Sequence, residues 1–168
     1  LIAAVIDSHI YQGNALNINP ERITWKRALD VNDRSLRRIK INLGKNDGTP
    51  RYDEFQITVA SELMAIMCLS KNPDEFKQRV KDIIIGFDFN DNPVKLGALN
   101  IEDAIVRLME YALLPNLVQT LEGNPALVHG GPFANIAHGC NSIIATKYAL
   151  TKAPIVVTEA GFASELGA

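Results

Sequence analysis

Short apolar runs alternate along this chain with longer stretches of helical period, and that alternation limits the folds open to it. The runs Ile83-Ile84-Ile85-Gly86, Asn116–Thr120, Ala126–His129 and Ile155–Thr158 are bounded by turn residues and read as buried strands. Residues 1–12, 57–70, 74–81, 101–113 and 137–150 read as helices, with apolar positions such as Val59, Leu63, Ile66 and Met67 at helical spacing. Asn72-Pro73 opens one of them, because Pro suits a first helical turn. Residues 14–24 read as a loop with a turn at Asn19-Pro20, Ser35–Ile41 as a short helix or an extended stretch, and 44–50 as a polar turn. Buried strands interleaved with helices predict an α/β fold: part of a mainly parallel sheet flanked by helices, with residues 1–168 as a single segment.

Composition agrees with a folded chain. Of 168 residues, 47% are hydrophobic and 21% charged, and a chain of this length buries roughly 70% of its unfolded surface. That balance excludes an intrinsically disordered segment. No apolar run approaches the roughly 20 residues a membrane span needs. Seventeen Lys+Arg against 19 Asp+Glu give a net charge of −2, the wrong sign for a dedicated nucleic-acid binder. Cys68 and Cys140 are isolated thiols in no CxxC pair, which fits a reducing, cytoplasmic setting. The chain opens Leu1-Ile2-Ala3-Ala4-Val5-Ile6, at helical spacing but with no Met and no capping residue before it. It is expected to be an internal stretch of a longer protein, a trimmed small domain being the alternative.

The segment richest in chemistry is Ala126-Leu-Val-His-Gly-Gly-Pro-Phe-Ala-Asn-Ile-Ala-His-Gly-Cys-Asn-Ser142, which reads as strand, Gly-Gly-Pro loop and helix. In open α/β sheets ligands bind beyond the carboxyl ends of strands. Adjacent glycines admit close backbone approach, and a following helix aims free N–H groups at anions. This points to an anion or phosphoryl site at Gly130 and Gly131, with His129, Asn135, His138 and Asn141 near enough in sequence to orient or protonate a substrate. A plain tight turn explains Gly-Gly-Pro as well, since the spacing is neither GxGxxG nor GxxxxGK[ST]. The histidines lack HExxH spacing, so satisfied polar residues beside a loop are a better account than a metal site.

Two further clusters stand out. In Trp25–Arg38, residues Arg34, Arg37 and Arg38 share one side if the stretch is helical. They can hold a carboxylate or phosphate, or pair with Asp30 and Asp33 as a structural network. In Val156-Val-Thr-Glu-Ala-Gly-Phe162, Glu159 is an acid, a base, a ligand to magnesium-bound phosphate, or a cap for the next helix.

The stretch His129–Ser142 resembles the signature of formate–tetrahydrofolate ligases. Pro115-Asn-Leu-Val-Gln-Thr-Leu-Glu122, Val156–Phe162, Ile57-Thr-Val-Ala-Ser-Glu62, Ile23-Thr-Trp-Lys-Arg27 and Asp30-Val-Asn-Asp-Arg34 resemble the same family in one collinear register. The likeness is to its single-function bacterial or archaeal form. It implies ATP-dependent formylation of tetrahydrofolate at N10 through formyl phosphate, with ATP carried by Mg2+, a monovalent cation activator and a homotetramer. It also implies a P-loop NTPase-like nucleotide-binding core whose P-loop lies N-terminal to the part matched here, so this segment alone is expected to be inactive. Carried over by residue, His129, Gly130, Gly131, Pro132 and Phe133 would line the formyl phosphate and folate side. Asn135, His138 and Glu159 would be the catalytic groups. A non-catalytic scaffold or assembly module derived from the family is the alternative.

Overall fold

The computed structural model describes residues 1–31, 33–131 and 141–159. Their contacts gather into two units, Leu1–Thr58 with Val80–Ile105, and Val59–Arg79 with Val106–Ala168.

The first unit begins with α1 (Ile2–Tyr11), whose Ile2, Ile6 and Ile10 recur every four residues and are buried. Gly13 and Asn14 take positive φ and end it. The Asn14 side chain then both donates to Ile18 O and accepts from Ile18 N, each at 2.8 Å, holding the chain as it enters β1 (Ile18–Ile23). Short strands follow: β2 (Arg27–Ala28), β3 (Ile39–Ile41), β4 (Arg51–Asp53) and β5 (Phe55–Gln56). Later in the chain, β6 (Ile84–Asp88) and β7 (Pro93–Lys95) complete a three-stranded sheet in the order β1-β6-β7. Beside it lie the two-stranded pairs β2-β5 and β3-β4. Ile18, Trp25, Ile85, Leu96 and Ile105 fill this unit's core. At Gly86 an added Cβ would lie 2.9 Å from Arg22 O, so β1 and β6 meet at a distance only glycine permits.

The second unit holds α2 (Glu62–Leu69), the hairpin β8 (Asn116–Gln119) and β9 (Pro125–Val128), and α5 (Ile143–Leu150). Met67, Cys68, Phe76, Leu113 and Ala145 are buried in it. Two helices cross the division between the units in sequence: α3 (Pro73–Lys81) and α4 (Glu102–Leu108). Asn72 caps α3 by accepting from Glu75 N at 2.8 Å, while Glu75 reaches back to Lys71 N, so the Asn-Pro start forms as expected.

The mainly parallel sheet expected from the sequence is corrected by these pairings. β1-β6, β6-β7, β3-β4 and β8-β9 are antiparallel, and among the described residues only the two-residue pair β2-β5 is parallel. For the hairpins β3-β4, β6-β7 and β8-β9 the cause is the connections. Thr120–Asn124 and Asn42–Pro50 are turns too short for a parallel crossover, which takes a dozen or more residues. The apolar run that suggested a buried strand is buried only in part: Ile83 and Ile85 are buried, while Ile84 between them is 43% exposed. The described residues therefore show mixed α and β elements in small sheets, and no P-loop-type parallel core.

Other expectations shift locally. Residues 14–24 contain β1 rather than a loop. The helix expected over 57–70 is a 3-10 turn at Thr58–Ala60 and then α2, because Ser61 is extended and restarts the backbone. The helix expected over 101–113 ends at Leu108 and continues as turns. The strand expected over Ile155–Thr158 is not assigned; Ile155 and Val157 are 80% and 90% exposed, without a ladder partner among the described residues.

Candidate functional site

Strand β9 delivers the chain to His129, Gly130 and Gly131, and α5 begins at Ile143 after Ser142. Gly130 has φ +78°, a left-handed conformation that admits glycine readily. Gly131 has no such constraint. A Cβ there would lie 3.8 Å from Met64 Cε, an ordinary contact, so the fold itself leaves room for a side chain. The Gly131 backbone hydrogen-bonds Cys68. Burial raises the pKa of that thiol, and the hydrogen bond opposes the rise.

His129 is 5% exposed. Its Nε2 lies 2.9 Å from Ala112 O and its Nδ1 lies 2.5 Å from Ser142 Oγ. A carbonyl only accepts, so the network assigns the ring proton to Nε2, and Nδ1 accepts from the Ser142 hydroxyl. Ser142 Oγ in turn accepts from Ala145 N at 2.9 Å and caps α5. Asn141 Oδ1 accepts from Ser142 N at 2.8 Å. The chain Ala112–His129–Ser142–Ala145 thus ties the start of the glycine loop to the first turn of α5. Two backbone donors here, Ser142 N and Ala145 N, are engaged by the Asn141 and Ser142 side chains.

Of the residues singled out in the sequence, the structure places His129 inside this network, with both ring nitrogens engaged by protein groups. Gly130 and Gly131 form the loop, and Gly130 is exposed. Glu159 is exposed at the end of the described stretch. Pro132, Phe133, Asn135 and His138 lie outside the described residues. Arg34, Arg37 and Arg38 do not share a helix face: Arg34–Arg37 is one 3-10 turn and Arg38 is extended. Among the described residues, Asp30 and Asp33 make no ion pair with them; Asp33 accepts from Ser35 N at 2.9 Å instead.

Sequence reasoning gave Ser142 no role, although a serine directly before a helical stretch is a capping signal. It also missed a buried ring of charge in the first unit. Arg51 Nη2 lies 2.9 Å from both Asp7 Oδ1 and Asp53 Oδ2, Arg27 Nε lies 3.0 Å from Asp53 Oδ2, and Arg27 Nη2 pairs with Asp7 Oδ2. Nothing in local periodicity links residues so far apart in the chain.

The model of the family described as formate–tetrahydrofolate ligase matches residues 1–168. This chain belongs to the formate–tetrahydrofolate ligase family. Among proteins named formate–tetrahydrofolate ligase, that of Bartonella tribocorum (strain CIP 105476 / IBS 506) is 60% identical over 169 residues, covering 100% of this chain and 30% of the relative. That of Latilactobacillus sakei subsp. sakei (strain 23K) is 58% identical over 168 residues, 99% of this chain and 30% of the relative. That of Lacticaseibacillus paracasei (strain ATCC 334) is 56% identical over 167 residues, again 99% and 30%. The chain spans about 30% of the length of these ligases. The resemblance carried by the His129–Ser142 stretch is therefore family membership over the whole sequence.

Proposed function

We propose that this chain is part of a formate–tetrahydrofolate ligase, which joins formate to N10 of tetrahydrofolate at the expense of ATP. Formate takes the γ-phosphoryl group of ATP to give formyl phosphate and ADP. N10 then attacks the formyl carbon, phosphate leaves, and N10 loses a proton. The observation that carries this reading is the family match over residues 1–168, with 56–60% identity to ligases named for the reaction.

The local geometry supports it. Developing negative charge on formyl phosphate calls for preorganised donors, and the backbone of the Gly130-Gly131 loop, tied through His129 to the start of α5, would supply them. Pro132 and Phe133 would extend this lining toward folate. Asn135, His138 and Glu159 would orient or move protons. His129, bonded through both nitrogens, would act by holding the loop. Magnesium enters as the counter-ion of ATP, with no ligand assigned among the described residues. A monovalent cation activator, a homotetramer and a cytoplasmic location belong to the same proposal. No helix among the described residues is long and apolar enough to cross a membrane.

The test is an assay of the intact protein for 10-formyltetrahydrofolate that requires ATP and formate together. Folate binding with no ATP-dependent turnover would replace the ligase reading with the scaffold reading.

A further inference from the structure

The first unit carries a cavity of about 250 Å3, lined among others by Trp25, Lys26, Arg37, Arg38, Arg51 and Tyr52. Its inner wall is neutral, because Arg51 belongs to the buried ring with Asp7, Arg27 and Asp53. Lys26 at the rim is matched by Glu54 at 2.6 Å. What remains is positive. The Arg38 guanidinium sits 4.6 Å from the Tyr52 ring centroid, and Lys40 Nζ sits 5.8 Å from the same ring. Arg37 lies one residue before Arg38 at the end of its 3-10 turn. Among the described residues none of Arg37, Arg38 and Lys40 has a carboxylate at ion-pair distance; the nearby Asp33 accepts from Ser35 N and keeps its negative charge.

We propose that this cavity binds a small phosphate-bearing anion, inorganic phosphate or a phosphate monoester, between Arg37 and Arg38 above the Tyr52 ring. Three features carry the assignment. The chain as a whole is at −2, so a cluster of unmatched cations runs against its overall charge. Arg38 and Lys40 both lie against the Tyr52 ring, which gathers two cations beside the cavity. Guanidinium groups offer the planar fork that meets phosphate oxygens in pairs, and Arg38 is already positioned by its stacking. The indole of Trp25, 8% exposed, and the half-buried Ile23 give the cavity an apolar side suited to the carbon part of an ester. The proposal is independent of the reading of the glycine loop.

Calorimetric titration of the intact protein at low ionic strength tests it, with inorganic phosphate and glucose 6-phosphate as probes. R37Q/R38Q is expected to lose one binding equivalent, or to weaken it by about tenfold or more. K40Q is expected to weaken it several-fold, and R38K to fall between wild type and the double variant. Both arginines are exposed, so unchanged thermal unfolding of R37Q/R38Q would show that the fold is kept. Tighter binding of glucose 6-phosphate identifies an ester ligand, and equal binding identifies free phosphate. Unchanged stoichiometry and affinity in R37Q/R38Q overturns the proposal. So does displacement by chloride at matched ionic strength, which would reduce the cluster to general screening. Salt-sensitive self-association lost in the variant, without phosphate binding, would replace it with an acidic protein surface as the partner.

Discussion

The Nδ1 of His129 and the hydroxyl of Ser142 stand 2.5 Å apart, and neither group faces solvent. One hydroxyl serves the imidazole as donor and the first turn of α5 as acceptor. Ser142→Ala removes both bonds and leaves a buried ring nitrogen unpaired. It should cost about 1–3 kcal/mol, read as faster amide exchange in α5 and a lower denaturation midpoint. Ser142→Thr should restore most of the loss. An alanine variant with α5 exchange unchanged would show that the cap contributes nothing.

At Gly131 the proposed site predicts different effects on folding and on turnover. Gly131→Ala places a methyl in ordinary contact with Met64, so stability should hold. Gly131→Val adds bulk at the backbone that the proposed site needs close to the phosphoryl group. It should lower turnover of the intact ligase by on the order of a hundredfold or more while the circular dichroism spectrum stays that of wild type. Wild-type kinetics in the valine variant would take the loop out of the site.

Arg51 is the hinge of the buried charge ring, with its side chain 3% exposed against 4% for Asp53 and 12% for Asp7. Arg51→Met leaves two enclosed carboxylates facing Arg27 alone. The expected destabilisation is about 3–5 kcal/mol in urea unfolding. Adding Asp53→Leu should recover part of it, because the stranded charge is then gone. A single variant as stable as wild type would mean that solvent reaches the ring.

Asp88 anchors the turn between β6 and β7. Hydrogen bonds from Asn92 and Asn90 hold its carboxyl below the ordinary value of 3.8. A carboxyl depressed in the folded state contributes stability in full above its unfolded value, and loses it as pH falls through the folded one. Subtracting the acid-unfolding curve of Asp88→Asn from that of wild type should therefore give a difference that shrinks as pH drops below 3.8. A constant difference would show that the ionised form has no special role in the turn.

The parts of this fold legible in the sequence are those set by neighbouring residues. Ile2, Ile6 and Ile10 announce α1, Asn72-Pro73 announces α3, and the apolar run at Ile84–Ile85 announces β6. β1 stays hidden because it is an edge strand. Pro20 is tolerated there, and only Ile18 is fully buried, so no alternation shows. Ile155–Thr158 misleads in the opposite sense: its β propensity is strong, but propensity forms no ladder without a partner. The orientation of the sheets was recoverable at one place. Asn116–Thr120 and Ala126–His129 stand too close for a crossover, and Gly123 with φ +84° closes the turn between them. At the candidate site, the glycine loop was visible as a motif. The buried pairing of His129 with Ser142 and Ala112 was not, because it depends on how elements far apart in the chain pack.

The charge ring also has an informational role. Along β4, Arg51 and Asp53 point inward while Tyr52 between them is 57% exposed, and β4 pairs with β3 through Ile39↔Asp53 and Ile41↔Arg51. A slip of one residue would turn both ring members toward solvent and bring a tyrosine in against Asp7 and Arg27. An apolar core tolerates such errors when the residues exchanged are similar. Here the misaligned hairpin would strand unmatched charge, so the ring acts as a proofreading lock that admits one alignment of this short and otherwise weakly specified pair.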